Sequence, residues 1–286
     1  MLQFHTSKEL QNYLSKVRSN NQKIGFVPTL GALHDGHISL IKACQSESDI
    51  SVVSIFVNPT QFNNPQDFEK YPRNLDADIS LLQKSNCDIL FTPSVENMYQ
   101  NPNLEIEPID IGYLDDILEG AKRPGHYIGV VTIVEKLLRA IQPDTIYMGL
   151  KDYQQVKVAE KLIREKRLPV TLRPCPTVRE QNGLAMSSRN TRLSVEGKVK
   201  AGQIYNALRF VIEHYGTDAI QNVIEDAKRF YLSSSDFELE YFEVRDAKNL
   251  NEFEENEWVQ PQKIVVLIAV WLEGVRLIDN METELR

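Results

Sequence analysis

His34 and His37 stand three residues apart in Gly31-Ala32-Leu33-His34-Asp35-Gly36-His37, directly after the apolar run Ile24-Gly25-Phe26-Val27-Pro28-Thr29. The run reads as a buried strand, and Ile38-Ser39-Leu40-Ile41-Lys42-Ala43 as the first turns of a helix. A strand, a glycine turn and a helix N-terminus make a ready anion site, because unpaired backbone N–H groups and the helix dipole both favour negative charge there. Two imidazoles at that point can donate hydrogen bonds to a phosphate oxygen as charge builds on it. Taken alone, the pair reads better as helix-cap residues without chemistry, since short motifs recur by chance. The surroundings decide between these readings.

Three further segments carry polar chemistry. Lys151, in Gly149-Leu150-Lys151-Asp152-Tyr153-Gln154-Gln155, precedes a helical pattern. A cation at a helix start opposes the dipole, a conflict that a bound phosphate would remove; a solvated lysine is the alternative. Asp152 and Gln155 share a helix face. Asp152 either holds Mg²⁺ beside phosphates or simply favours the helix N-terminus. Ser187-Ser188-Arg189 offers two hydroxyls and a guanidinium fork for phosphate oxygens, or a surface turn. Gln61, in Asn58-Pro59-Thr60-Gln61-Phe62, can donate and accept, which suits a substrate carrying hydroxyl and carboxylate groups. His126 lies in a loop where it buttresses the site, and His5 and His214 read as surface residues.

The elements needed to position these groups are legible as alternation. Strand patterns at 23–29, 49–58, 88–93, 145–149 and 170–174 are separated by helical patterns at 37–48, 75–85, 128–141 and 152–167. Runs such as Ile50-Ser51-Val52-Val53-Ser54-Ile55-Phe56-Val57 are nearly continuous, as in parallel strands buried on both faces. The expected fold is therefore α/β, a Rossmann-like doubly wound parallel sheet over residues 1–176, with a helix opened by the box Thr6-Ser7-Lys8-Glu9. In such a sheet, ligands bind beyond the carboxyl ends of the strands, where all four polar segments fall. After the hinge Pro174-Cys175-Pro176, helices capped by Ser194 and Asp218 precede strands at 237–244, 263–271 and 275–278. This predicts a smaller C-terminal α+β domain over 177–286, with residues 183–190 serving a lid.

Bulk composition excludes several function classes. The 286 residues are 42% hydrophobic and 25% charged, ordinary for a globular enzyme. A net charge of −8 leaves no dominant basic face for nucleic acid. Cys44, Cys87 and Cys175 are odd in number and widely spaced, which points to buried free thiols in a reducing cytoplasm. No apolar stretch approaches the ~20 residues that cross a bilayer, and the start lacks a signal-peptide pattern. The expected location is cytoplasmic, with no membrane partner.

Taken together and in order, the motifs closely resemble the pantoate–β-alanine ligase family of the His-x-Gly-His nucleotidyltransferase superfamily. The resemblance rests on residues 28–37, Phe56-Val57-Asn58-Pro59-Thr60-Gln61-Phe62, Tyr71-Pro72-Arg73, Leu118-Glu119-Gly120, Arg123-Pro124-Gly125-His126, residues 151–155 and Met186-Ser187-Ser188-Arg189-Asn190. It implies a two-step reaction: pantoate and ATP give pantoyl adenylate and pyrophosphate, then β-alanine displaces AMP to give pantothenate. It also implies site roles. ATP would be cradled by Leu30, Gly31, Ala32, Leu33, His34, Asp35, Gly36 and His37, with Gly149, Leu150, Lys151, Asp152, Val178, Met186, Ser187, Ser188 and Arg189 completing the nucleotide site. His37, His34 and Lys151 would be catalytic, Gln61 and Gln155 would hold pantoate, and Gln61 would also lie near β-alanine. Mg²⁺ would travel with the ATP phosphates, Asp152 being the one candidate protein ligand, and the protein would be a homodimer.

Three positions depart from the family pattern: Leu30 for methionine, Leu150 for Glu or Gln, and Gln66-Asp67 for Glu-Asp. None removes a proposed catalytic group. The competing activities are nucleotidyl transfer to a phosphorylated acceptor, which would call for more cations than Gln61 and Gln155 provide, and ATP sensing without chemistry.

Overall fold

The computed structural model describes residues 1–62, 68–69, 71–216, 219–253 and 263–284. Gln66, Asp67 and Asp218, the residue expected to cap a helix, lie outside the described residues; the N-cap of that helix is Ala219. The chain divides into two compact units, Met1–Gly149 with Gln154–Pro176, and Leu150–Tyr153 with Thr177–Arg286. The first domain expected from sequence, 1–176, thus loses Leu150–Tyr153. Those residues are bonded to the C-terminal strands, a long-range choice that local pattern does not carry.

The first unit holds a parallel sheet, as the alternating pattern predicts, of six strands in the order β1-β4-β3-β2-β5-β6. The strands are β1 Leu2–Phe4, β2 Ile24–Thr29, β3 Ile50–Ile55, β4 Ile89–Phe91, β5 Thr145–Gly149 and β6 Thr171–Cys175. The helices are α1 Ser7–Ser19, α2 Asp35–Glu47, α3 Leu75–Lys84, α4 Val95–Tyr99, α5 Leu118–Lys122, α6 His126–Ile141 and α7 Tyr153–Glu165. Thr6 caps α1 by accepting from Glu9 N, the box expected from sequence.

β2 and β3 are apolar on both faces because helices cover both. Val27, Ile41, Cys44, Val53, Leu90 and Tyr147 form one core cluster against α2. Gly25 belongs to that face: a Cβ there would lie 2.4 Å from Cys44 Sγ and 2.5 Å from Ser48 Oγ, so only glycine lets α2 approach so closely. The three-residue edge strand β1 is absent from the sequence-based expectations. Its length is too short for a periodic signal to emerge.

The strand order reverses between β2 and β5, where a doubly wound sheet binds its ligand. Registered pairs between them stop at Phe26↔Ile146, whereas β2 continues beside β3 to Thr29↔Ile55. Pro28, which has no N–H to donate, therefore sits beyond the last β5 pair in an otherwise central strand. Its place marks the point where the two strands part.

The second unit is a three-stranded antiparallel sheet, β7 Phe237–Asp246, β8 Lys263–Leu272 and β9 Val275–Glu284, with α8 Val195–His214 and α9 Ile220–Tyr231. Ala201, Ile204, Leu208 and Val211 of α8 pack with Ile264, Val266, Ile268 and Val270 of β8. Ser194 caps α8 by accepting from Gly197 N. The β8–β9 hairpin turns through Glu273 and Gly274, with φ of 51° and 69°, the paired left-handed conformation of a two-residue hairpin. β9 runs six residues beyond its expected end at Ile278, because pairing with β8 overrides the polar composition of Asp279–Glu284.

Candidate active site

The segment from β2 to α2 is held by its own backbone N–H groups. Thr29 Oγ1 donates to Ser54 O at 2.7 Å and accepts from Gly31 N at 3.2 Å. Gly31 and Ala32 then take φ of +83° and +50°, turning the chain across the strand end. The turn is locked from α3: the buried Asp78 carboxylate accepts from Ala32 N at 2.9 Å and Leu33 N at 2.7 Å. Hydrogen bonds to a charged group are worth about 1.5–3 kcal/mol each, so Asp78 is a strong clamp on this loop.

His34 and His37 then open α2 as a reciprocal capping box. His34 Nδ1 accepts from Gly36 N at 3.1 Å, and His37 Nδ1 accepts from His34 N at 3.3 Å. Backbone N–H groups can only donate, so both Nδ1 atoms act as acceptors, and each neutral ring carries its proton on Nε2. The rings lie 4.1 Å apart between centroids. The structure shows the capping that the sequence offers as one of two readings, and the cap fixes the tautomer with the ring proton on Nε2.

Gln61 ends a 3₁₀ turn, Pro59–Gln61, just after β3, and is itself buried. Asn58, fully buried, donates from Nδ2 to Gln61 Oε1 at 3.2 Å and to Gly129 O at 3.0 Å. Its Oδ1 accepts from Tyr99 OH at 2.6 Å and Thr60 Oγ1 at 3.1 Å. With Oε1 engaged, the Gln61 amide retains its Nε2 donors for a ligand oxygen. His126 is the first residue of α6 rather than part of a loop, and its buried Nδ1–H donates to Gln61 O at 2.6 Å. Burial raises the Tyr99 phenol above its ordinary range. Burial also lowers the Lys136 ammonium, which donates to Leu104 O at 2.6 Å and lies 5.4 Å from the Tyr99 ring centroid.

Gln155 sits on α7, partly exposed, and its neighbour Gln154 is structural: Gln154 Oε1 accepts from Glu119 N, and Nε2 donates to Leu114 O and Ile117 O. Leu30 to His37, Gln61, Gly149 and Gln155 all belong to the first unit.

The second unit carries the remaining candidates. Leu150, Lys151 and Asp152 form a 3₁₀ turn, so Lys151 precedes α7 rather than starting it. Lys151 Nζ lies 3.5 Å from Asp152 Oδ1, with the Lys151 side chain 18% exposed and the Asp152 side chain 48%. Val178 and Met186 face each other in a small hairpin, closed by Met186 N donating to Val178 O at 2.9 Å. Ser187 caps the next 3₁₀ turn, Ser188–Arg192, accepting from Arg189 N at 3.3 Å. Among the described residues, no group of three or more His, Cys, Asp or Glu side chains gathers as a metal cage. A half-exposed Asp152 fits Mg²⁺ held mainly by phosphates, since that ion commonly uses one or two carboxylates beside its substrate.

Sequence reasoning assigned no role to Asn58, Asp78, Tyr99 or Asn280. Asn58 lies within a quoted motif, three residues before Gln61. The others act across 41 to 130 positions of sequence, and nothing local announces that.

Comparison with known proteins gives the family. The family model described as pantoate-beta-alanine ligase matches residues 2–282. A pantothenate synthetase of Cytophaga hutchinsonii is 45% identical over 98% of this chain and 99% of its own length. That of Azobacteroides pseudotrichonymphae is 44% identical over 96% of this chain and 98% of its own. The crystal structure of pantothenate synthetase from Thermus thermophilus superposes with a TM-score of 0.87 at 37% identity, covering 98% of this chain and 99% of that one. A Francisella tularensis pantoate-beta-alanine ligase, solved with beta-gamma ATP and beta-alanine, gives a TM-score of 0.77 at 37% identity, over 98% of this chain and 97% of that one. A match spanning nearly the whole chain, in both sequence and fold, makes this protein a ligase of the pantoate–β-alanine ligase family.

Proposed function

We propose that the protein condenses (R)-pantoate with β-alanine to pantothenate through a pantoyl-adenylate intermediate, consuming ATP. In the first step a pantoate carboxylate oxygen bonds to the α-phosphorus, and the bond from that phosphorus to the α,β-bridging oxygen breaks. Pyrophosphate leaves with the electron pair. In the second step the β-alanine amine, as its free base, attacks the acyl carbon. The acyl–oxygen bond breaks, AMP leaves as the phosphate monoester, and the nitrogen loses a proton. No covalent bond to the protein is needed, so its contribution is positioning and charge stabilisation.

The observation that carries this reading is the capping box of His34 and His37. It presents two Nε2–H donors at the N-terminus of α2, beside the strand-order reversal. His37 and His34 donate to phosphate oxygens as charge grows on them, and Lys151 adds a positive charge. Leu30 to His37, Gly149, Leu150, Asp152, Val178, Met186, Ser187, Ser188 and Arg189 bind ATP. Gln61, its amide turned donor-outward by Asn58, binds pantoate with Gln155 and lies near β-alanine. Asp152 would hold Mg²⁺ against the phosphates, where the ion offsets their charge. The Francisella relative, solved with beta-gamma ATP and beta-alanine, supports ATP and β-alanine as ligands. We assign a homodimer in the cytoplasm. Three buried free thiols support a reducing compartment, and no helix among the described residues is long and apolar enough to cross a membrane.

ATP–pyrophosphate exchange with Mg²⁺ tests this, comparing pantoate, other small hydroxy acids and no acid. Exchange that requires pantoate but not β-alanine is expected. Its absence, in protein that still binds ATP, overturns the reading.

A further inference from the structure

Two residues near the end of the chain hold together segments that lie far apart in sequence. Asn280, buried on β9, donates from Nδ2 to Leu150 O at 2.8 Å and to Lys151 O at 2.9 Å, so one amide nitrogen uses both protons on consecutive carbonyls. Its neighbour Asp279 receives Arg179 in a bidentate pair, at 2.6 and 3.0 Å. Arg179 Nη2 also donates to Asn280 O at 3.1 Å, and Nη1 to Gly183 O at 3.0 Å, while its Cζ lies 4.7 Å from the Tyr205 ring centroid. The dipeptide thus ties the Lys151 turn to the hairpin that leads into Ser187-Ser188-Arg189. All of these contacts lie within the second unit.

We propose that Asn280 is a positioning residue for Lys151, holding the turn that aims the ammonium at ATP and keeping it in register with the Arg189 segment. The proposal rests on the nucleotide role assigned to Lys151 above.

A neutral amide suits this task better than a cation. Arginine or lysine could reach the same carbonyls, but each would place a second positive charge beside Lys151. A carboxylate of the same shape would lose both donors and set its oxygens against two carbonyl oxygens. Burial raises the Asp279 carboxyl, opposed by Arg179 and by the Asn280 N–H. Tyr153 anchors the far side of the turn, its hydroxyl 2.6 Å from Ala247 O and 2.5 Å from Glu282 Oε1. The Asn280 amide therefore acts on a turn already held at its other end. The effect of losing it falls on Lys151.

The test uses the full chain and the substitutions Asn280→Asp, which keeps the shape, and Asn280→Ala, which adds no charge. A third, Arg276→Gln, removes from β9 the side chain that pairs with Glu240 of β7, and controls for loosening of β9. ATP affinity is measured by calorimetry, the KM for ATP and turnover by pyrophosphate exchange, and the KM for β-alanine in the complete reaction. The expected result for Asn280→Asp is a KM for ATP raised by about 10-fold, as for two lost neutral hydrogen bonds, with the KM for β-alanine unchanged. In a Lys151→Ala background the same change should add less than about 2-fold, because Asn280 acts through that lysine. Equal losses in both backgrounds overturn the proposal, as does a lowered melting temperature with ATP affinity intact. So does an equal rise in KM for Arg276→Gln. Should Asn280→Asp fail to fold, Asn280→Ala gives the same comparison. A wild-type protein that shows no exchange would defeat the proposed function, while calorimetry on ATP would still decide the role of Asn280.

Discussion

At the scale of single residues, each imidazole of the capping box has two nitrogens with separate work. Nδ1 satisfies a backbone donor of α2, and Nε2 is left to carry the proton. This coupling separates His37 from an ordinary surface histidine. Replacing it with alanine should cost adenylation about 10²–10³-fold, the usual loss for one transition-state donor. Removal of the cap should lower stability by only about 1 kcal/mol, so the variant stays folded. Pyrophosphate exchange beside a melting curve reads both, and a near-wild-type exchange rate removes His37 from the mechanism. Arg189→Lys is the complementary case. Lysine keeps the charge but not the planar fork. ATP affinity in that variant should fall by about 10-fold or more, the loss of one charge-assisted hydrogen bond. Unchanged affinity and rate would return Arg189 to the surface.

At the scale of elements, the site depends on close approaches that single residues make possible. Helix α6 touches the Gln61 turn so nearly that a Cβ on Gly129 would lie 2.5 Å from Thr60 O and 2.7 Å from Gln61 Cα. Gly129 O also accepts from Asn58, so helix and turn are locked at two points. Gly129→Ala must push the turn away, since backbone atoms cannot swing aside as a side chain can. The expected cost is about 1–3 kcal/mol of stability, with the KM for pantoate rising by about 10-fold or more. The measurement is steady-state kinetics with each substrate varied in turn. An unaltered pantoate KM would show that the position of the turn does not govern Gln61. The same logic explains why Asp78 was invisible in the sequence. An aspartate in the first turn of a helix normally reads as a dipole partner, but here it reaches back 45 residues to Leu33 N. His126 shows the converse: its sequence placed it as a buttress, and its hydrogen bond to Gln61 O shows which group it supports.

At the scale of the whole molecule, the first unit buries three thiols and holds them protonated. Burial pushes Cys44 up to about 12 and Cys87 to about 11, from an ordinary value of 9.0. Cys175 moves in the same direction for the same reason. The sign follows directly. Well below pH 9 neither the folded nor the unfolded chain ionises these thiols to any extent, and their contribution to stability is fully present. As pH rises from 9 toward 11 or 12, the unfolded chain releases protons that the fold retains, and stability falls by up to about 1.4 kcal/mol per thiol per pH unit. Urea unfolding between pH 8.5 and 10.5 should therefore steepen its decline, and Cys44→Ala should flatten it. Identical slopes for the two proteins would contradict the burial argument. At pH 8 the native thiols should resist a thiol-specific reagent that labels them at once in urea.

The alternating pattern determined the parallel sheet apart from its edge strand β1, the longer helices and the antiparallel C-terminal strands, because burial on both faces or on one writes a distinct period into the chain. Motif order determined the family and the residues proposed for ATP and pantoate. It could do so because phosphate chemistry demands a few side-chain types next to turn-forming glycines and prolines. Only the tertiary structure decided that His34 and His37 share one capping box, that Asn58 and Tyr99 orient Gln61, and that Leu150–Tyr153 belongs with the C-terminal unit. Most of those outcomes depend on hydrogen bonds spanning 41 to 130 residues. A local window contains one partner of each such pair and never the geometry that joins them.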